Sequence, residues 1–377
     1  MSEILLRDWK VGLQQRVLPD YRAPFFEALA RRCQAGLSVF VGQPLAGEGI
    51  LLPTKLEGAR LYGGKNLTLF NPASPFFLCW QRGLFAWLRE WKPDVLIVEA
   101  NPRILSTRKA VRWMRQRGGL VIGWGLGAPP LTGKFAWLRR KERHSFLSLL
   151  DGIIAYSRRG AREYQAEGMP PQRVFVALNS TLPCPLSLPL RRPRLSDKPM
   201  RVLFVGRLQK RKRVDLLLQA CAGLSAELRP QVTIVGDGPA RAEFEAIARQ
   251  VYPEAVFTGD QRGSALESEF ASADVFVLPG TGGLAVQQAM AFGLPVIVAQ
   301  GDGTQEDLVR PENGWLIPPD DLSALTSALA EALKDEERLR RMGRESFRIV
   351  REEANVEKMA ETFISAIETL NWLKSQR

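Results

Sequence analysis

One histidine and four cysteines are all that a chain of 377 residues offers to transition-metal or thiol chemistry. The cysteines, Cys33, Cys79, Cys184 and Cys221, lie far apart and form no C-x-x-C pair. That argues against a zinc site and against a disulfide framework, and fits reduced cytosolic thiols. The histidine, His144, stands in WLRRKERHSFLSLL and reads as one more polar residue on a basic helix, not as a catalytic base. No apolar run reaches the roughly 18 uncharged residues that span a bilayer, and the opening MSEILLRDWK is already charged. A soluble protein, cytoplasmic or peripheral on the inner face of the cell membrane, is therefore expected. The dinucleotide fingerprint G-x-G-x-x-G is missing from the first strand-to-helix turn of both halves, and neither a P-loop nor a D-x-D metal signature occurs. No cofactor and no metal are expected.

What is present is an ordinary globular composition, 45% hydrophobic and 24% charged, in a chain long enough for two α/β domains. The net charge of +12 is divided unevenly. Residues 1–200 hold 31 lysines and arginines against 14 acids, and residues 201–377 hold 21 against 26. Basicity is densest over residues 101–150, with eleven basic side chains and one acid, Glu142. A field of that sign suits an anionic partner, whether phospholipid surface, lipid-linked phosphate or nucleic acid.

Short apolar runs alternate with helical patterns through the first half: KVGLQQR, LSVFVG, PDVLIVEA, GLVIGWG and DGIIAYS. Alternation of this kind predicts a parallel sheet with covering helices. The segment TLPCPLSLPLRRPRLSDKP then brings five prolines, which cannot donate to a sheet or helix and favour an extended connection. After it RVLFVG, VTIVGDG, AVFTGD, ADVFVLPG and LPVIVAQ repeat the pattern, near-continuously apolar as strands buried on both faces are. The expected organisation is a Rossmann-like domain over 1–180, a linker over 181–199, a second Rossmann-like domain over 200–360, and a final helix over 361–377 that crosses back to the first.

Ligands of an open parallel sheet bind at the carboxyl ends of its strands, so the residues just after each strand are the candidates. After RVLFVG come Arg207 and Lys212, a pair of cations suited to phosphates or to a solvated basic loop. After VTIV come Gly236 and Gly238, and after AVF come Thr258 and Gly259. ADVFVLPGTGGLAVQQAMAFG places Gly280, Thr281, Gly282 and Gly283 before a helix that starts near Leu284, where free N–H groups and the helix dipole favour a phosphate. In the first half Asp20 and Arg22 follow one strand, Glu99, Asn101 and Arg103 another, and Trp124 a third. Each could face a ligand or build a turn. Lys134, Phe135, Trp137, Leu138, Arg139, Arg140, Lys141 and Arg143 interleave cations with apolar groups, a pattern open to an anionic membrane surface or to plain solvation.

FVGRLQKRKRVDLLLQA, VTIVGDGP, VFTG, ADVFVLP, AMAFGLPVI and NGWLIPPDD, in this order and spacing, resemble the family 4 glycosyltransferases of GT-B fold, retaining enzymes that use sugar nucleotides. LLDGIIAYSRRGAREYQAEGMPPQRVFVALNST, ending in Asn179, is similar to the close of that family's first domain. The resemblance implies two facing Rossmann-like domains with parallel sheets and an interdomain cleft, the donor nucleotide on the C-terminal half and the acceptor on the N-terminal half. It implies that Arg207 and Lys212 bind the donor diphosphate and that Thr258 and Gly259 lie near the base. The family's Glu-x7-Glu pair falls here on Gly280 and Gln288. Gln288 retains hydrogen bonding to a ribose hydroxyl, while Gly280 leaves the donor sugar to Thr281, to the loop backbone or to the first domain. Where many members carry a histidine, this chain has Trp124, Gly125 and Leu126.

The expected activity is transfer of a sugar, with retention, from a nucleoside-diphosphate sugar to a glycan or lipid-linked hydroxyl in cell-envelope or exopolysaccharide synthesis. The departed glutamates leave a second reading: a catalytically silent relative that binds a nucleotide or glycan as sensor or scaffold. Nucleic-acid binding is not expected, because no helix-turn-helix, zinc-finger or RNA-binding aromatic signature accompanies the charge. A sugar-nucleotide epimerase would call for catalytic carboxylates and histidines that the sequence does not offer.

Overall fold

The computed structural model describes residues 5–45, 48, 50–72, 74, 76–189 and 198–376; the middle of the expected linker, 190–197, lies outside the described residues. Two compact units make up the chain: Met1–Pro183 together with Val356–Arg377, and Cys184–Asn355.

The first unit is built on eight strands, β1 (Val11–Gln15), β2 (Leu37–Gly42), β3 (Arg60–Leu69), β4 (Leu78–Arg82), β5 (Val95–Glu99), β6 (Leu120–Gly125), β7 (Gly152–Ala155) and β8 (Val174–Val176). They lie side by side as β4-β3-β2-β1-β5-β6-β7-β8. All pairs are parallel except β3 with β4. The central strands are apolar on both faces because both are covered: Val95, Leu96, Ile97 and Val98 are all fully buried. Next to the edge strand β4, β3 alternates exposed and half-buried positions and carries Gly63, Gly64, Lys65 and Asn66. Strand order reverses at β1, which has β2 on one side and β5 on the other, so the crevice of this sheet opens at the carboxyl ends of β1 and β5.

The last helix, Val356–Ser375, completes this first unit. Its Val356, Met359, Ala360, Phe363, Ile364, Ile367 and Leu370 recur at helical spacing and join the core formed by β1, β2, β5 and helix Ala23–Arg32. The Phe363 ring lies 4.9 Å from that of Phe25 and 5.2 Å from that of Trp124. Buried Arg32 reaches Glu361 at 3.6 Å, and Lys374 Nζ donates to the Gly119 carbonyl at 2.7 Å.

The second unit carries six parallel strands, β9 (Arg201–Val205), β10 (Gln231–Val235), β11 (Val256–Gly259), β12 (Val275–Leu278), β13 (Val296–Ala299) and β14 (Gly314–Ile317). Their order, β11-β10-β9-β12-β13-β14, reverses between β9 and β12. Both units are thus Rossmann-like α/β sheets, as the alternating pattern predicts. Among the described residues no helix is long and apolar enough to cross a membrane.

Candidate functional site

At the switch point of the second unit the loop after β9 and the glycine loop after β12 close on each other. Thr281 N donates to the Arg211 carbonyl at 3.0 Å, the Arg211 guanidinium returns a bond to Thr281 Oγ1 at 3.0 Å, and Lys212 Nζ donates to the Thr281 carbonyl at 2.6 Å. The contact is so close that a Cβ at Gly280 would stand 2.2 Å from the Arg211 carbonyl oxygen and 2.6 Å from Lys212 Cα. Glycine at 280 is therefore a packing requirement of this loop pair. From the other side Gln305, buried, donates its Nε2 to the Gly282 carbonyl at 2.8 Å. Gly283 then opens helix Leu284–Ala291, whose start has no side-chain cap. The N–H groups and dipole of that helix start, with Arg211 and Lys212 fastened to the loop before it and Arg207 on the same segment as those two, are the chemistry that suits an anion. Gln288, half-buried, lies one turn into that helix.

Arg207 is exposed and forms no ion pair among the described residues. Its segment is pinned from behind: a Cβ at Gly236 would meet the Gly206 carbonyl oxygen at 2.1 Å and one at Gly238 the Leu208 carbonyl oxygen at 2.4 Å. Leu208 N donates to the Asp237 carbonyl at 2.8 Å. These two glycines let the loops lie against one another and so fix the backbone on either side of Arg207. Gly259, at the end of β11, accepts from Gly236 N at 2.8 Å. Thr258, by contrast, lines a groove of about 190 Å³ with Arg201, Gln231 and Glu269, away from Arg207, Arg211, Lys212 and the glycine loop, and its Oγ1 donates to the Gly259 carbonyl at 3.2 Å.

Burial, helped by the neighbouring Arg211 guanidinium, brings the Lys212 ammonium down to about 8. The charged form exists below that value, so the sign of the pH dependence follows. Affinity for sulfate, whose own charge is constant over this range, is expected to be level below about pH 7 and to fall by up to about tenfold per pH unit above about 8. Calorimetric titration across this range checks it; an affinity sustained well above pH 8 would assign the anion to the arginines alone.

The first unit gathers a second cluster at the carboxyl ends of β1, β5 and β6. The Arg22 guanidinium lies 5.3 Å from the ring centroids of both Trp124 and Tyr156. Glu99 accepts the Arg16 N–H at 2.7 Å; burial raises its carboxyl above the usual range, against the pull of Arg16, Arg22 and Arg103. Arg103 Nε donates to Asn101 Oδ1 at 3.2 Å. The Trp124 Nε1 is buried without a hydrogen-bond partner among the described residues. Asp20 stands apart, exposed, its carboxylate accepting the Tyr21 N–H at 2.7 Å. His144 is exposed, with Nδ1 3.0 Å from the Glu167 carbonyl oxygen. Three residues now belong beside the candidates: Arg211 and Gln305, which fasten the glycine loop, and Tyr156. Gln305 and Tyr156 could have been found by the rule that singled out the others, since both follow closely on a strand end. Among the described residues no group of three or more His, Cys, Asp or Glu could hold a metal ion.

Comparison with known proteins gives three results. The family model for glycosyl transferases group 1 matches residues 190–348. A GDP-mannose-dependent alpha-mannosyltransferase of Mycolicibacterium smegmatis is 34% identical over 270 residues, covering 67% of this chain and 68% of that one. Among solved structures, a lipopolysaccharide outer core galactosyltransferase, WaaB, aligns with TM-score 0.68 at 17% identity over 96% of this chain and 99% of its own. Anabaena HepE, solved with UDP-glucose, aligns with TM-score 0.64 at 15% identity over 97% and 100%. At such identities the last two likenesses are of fold.

Proposed function

This chain belongs to the glycosyl transferases group 1 family and is a glycosyltransferase; from that premise we propose that it transfers a sugar, with retention and without a metal, from a nucleoside-diphosphate sugar to a hydroxyl of a lipid-linked or lipopolysaccharide-type glycan of the cell envelope. The observation that carries the donor half is the glycine loop fastened to Arg211 and Lys212 at the switch point. The donor diphosphate binds Arg207, Lys212 and the start of helix Leu284–Ala291. As the bond from the anomeric carbon to the phosphate oxygen breaks, those groups meet the charge that develops on the leaving diphosphate. The acceptor oxygen bonds to the anomeric carbon on the same face, and its proton passes to the departing phosphate oxygen. The name of the mycolicibacterial relative makes GDP-mannose the first donor to try.

The reading as a silent binder drew on both departed glutamates, at Gly280 and Gln288, and of the two the glycine has a structural account. Loop packing accounts for that glycine, so it is not in itself a mark of lost activity.

A panel of GDP-, UDP-, ADP- and dTDP-sugars, scored for thermal stabilisation and for release of nucleoside diphosphate, tests the proposal. Stabilisation by one nucleotide class with sugar-dependent release is the expected result; release from none, with membrane extract as acceptor, would refute it. Gln288→Ala is expected to raise KM for the donor about threefold to tenfold and to leave kcat nearly unchanged, as loss of one neutral ribose hydrogen bond should. Steady-state kinetics on the preferred donor decide this.

The basic helix Ala136–Leu147 supports a peripheral place on an anionic leaflet, because Phe135, Trp137 and Leu138 are at least half exposed among its cations.

A further inference from the structure

The first unit contains a cavity of about 1010 Å³ that the transfer chemistry does not account for. It lies at the upper end of the roughly 300–1,000 Å³ usual for ligand pockets. One corner is polar and sits at the strand ends, where Glu99, Asn101, Arg103, Trp124 and Tyr156 contribute. The remainder is walled by the loop after β6 and by helix Ala136–Leu147, and there apolar side chains dominate. Phe76, Leu105, Leu126, Phe135 and Leu138 line it and yet are all more than two-fifths exposed. A monomeric protein seldom leaves such a set uncovered around a cavity unless something apolar enters.

Charge selects the kind of apolar ligand. Arg103, Arg139 and Arg143 line the cavity within the stretch that holds eleven basic residues and a single acid. That acid, Glu142, is paired with Arg108 at 2.7 Å, and Arg143 is engaged by the Pro129 carbonyl and Glu167. The other lining carboxylate, Glu99, faces Arg16, Arg22 and Arg103. A sugar or nucleotide would leave most of this wall unsatisfied, and a neutral hydrocarbon would not use the arginines.

We propose that the cavity is the seat of a lipid phosphate, the anchor of the acceptor, with its phosphate beside Arg103 and its chain against Leu105, Leu126, Phe135 and Leu138. This rests on the reading of the enzyme as a transferase to lipid-linked acceptors, and it names the part of the acceptor that the first unit holds. Chain length then becomes a specificity determinant, because each buried methylene is worth about a fourfold change in affinity until the cavity is filled.

The test uses the full chain and monomeric probes: geranyl monophosphate, farnesyl monophosphate, farnesol and inorganic phosphate, with binding read calorimetrically below the concentration at which the lipids aggregate. Farnesyl monophosphate is expected to bind roughly tenfold or more tighter than geranyl monophosphate, and inorganic phosphate at equal concentration is expected not to displace it. Arg103→Gln should lower the advantage of farnesyl monophosphate over farnesol by about tenfold or more. Leu138→Asp, at a half-exposed position, should weaken farnesyl monophosphate about tenfold or more with an unchanged thermal midpoint. Equal affinity for the two chain lengths, an unaffected Leu138→Asp protein, or binding to anionic vesicles without binding to monomeric farnesyl monophosphate would each overturn the site. The two readings fail separately. Nucleotide-sugar turnover without lipid-phosphate binding removes the cavity proposal and leaves the transferase; chain-length-dependent binding without turnover on any donor keeps the site and removes the donor assignment.

Discussion

Arg207→Ala is expected to lose about two to three orders of magnitude in kcat while its thermal midpoint stays with the parent's. The two halves of that expectation have different sources. Stability should not move because the side chain is exposed and forms no ion pair among the described residues, so nothing folded depends on it. Turnover should fall because Arg207 lies just after β9, on the loop that closes on the glycine loop, and on the proposed reading its guanidinium meets the charge of the leaving diphosphate. The loss should appear in kcat and kcat/KM together, the mark of an interaction made most strongly in the transition state. If KM alone rises, Arg207 binds ground state and transition state equally and the catalytic assignment fails. Lys212→Ala is the less clean experiment, because its Nζ also fastens the Thr281 carbonyl and its removal loosens the loop it is meant to test.

The second large effect runs against intuition from the family pattern. Gly280→Glu supplies the side chain that the Glu-x7-Glu arrangement would place there, yet it is expected to destabilise the protein by about 1–3 kcal/mol and to reduce turnover. The obstruction is backbone, not a side-chain tip that can swing away: the Arg211 carbonyl oxygen and Lys212 Cα occupy the space any Cβ would need. Gly280→Ala should therefore already show most of the loss in stability. Gly63→Ala, at a position where an added Cβ meets nothing within 4 Å, is the control expected to cost nothing measurable. Denaturant midpoints on the three proteins decide the matter, and a Gly280→Glu enzyme with parental stability and raised turnover would mean that the loops part in solution.

The strands of the sheet interiors were legible because their burial forces near-continuous apolar sequence: VLIV, GIIA, VFVL and VIVA each carry their own signal. The strands on the β4 side of the first sheet did not announce themselves. In β3 the run RLYGGKNLTL is half-solvated and interrupted by two glycines, and β4 pairs with it antiparallel where the pattern suggested parallel neighbours throughout. Sequence order placed Arg207, Lys212 and the glycine loop just after β9 and β12, where the structure has them, since strand ends converge in any sheet of this kind. It could not tell that Arg211 and Lys212 would lie against Thr281, because that contact joins two loops far apart in the chain and depends on the absence of a Cβ at Gly280. Nor could it tell which way Thr258 would face, a matter of one residue of alternation at the end of a four-residue strand.

The helix Val356–Ser375 makes the first unit a domain written in two instalments. A ribosome that has completed Pro183 must still produce all of residues 184–355 before that helix exists, an interval of roughly ten to thirty-five seconds at about 5–20 residues per second. Through that interval Phe25 and Trp124 lack Phe363, the ring that covers both. The second unit, continuous in the chain, has no such dependence on what comes later. In the nascent protein the order of completion is thus the reverse of the order of synthesis, and the half that emerges first is the one that waits, apolar and unfinished, for helix Val356–Ser375 to leave the tunnel.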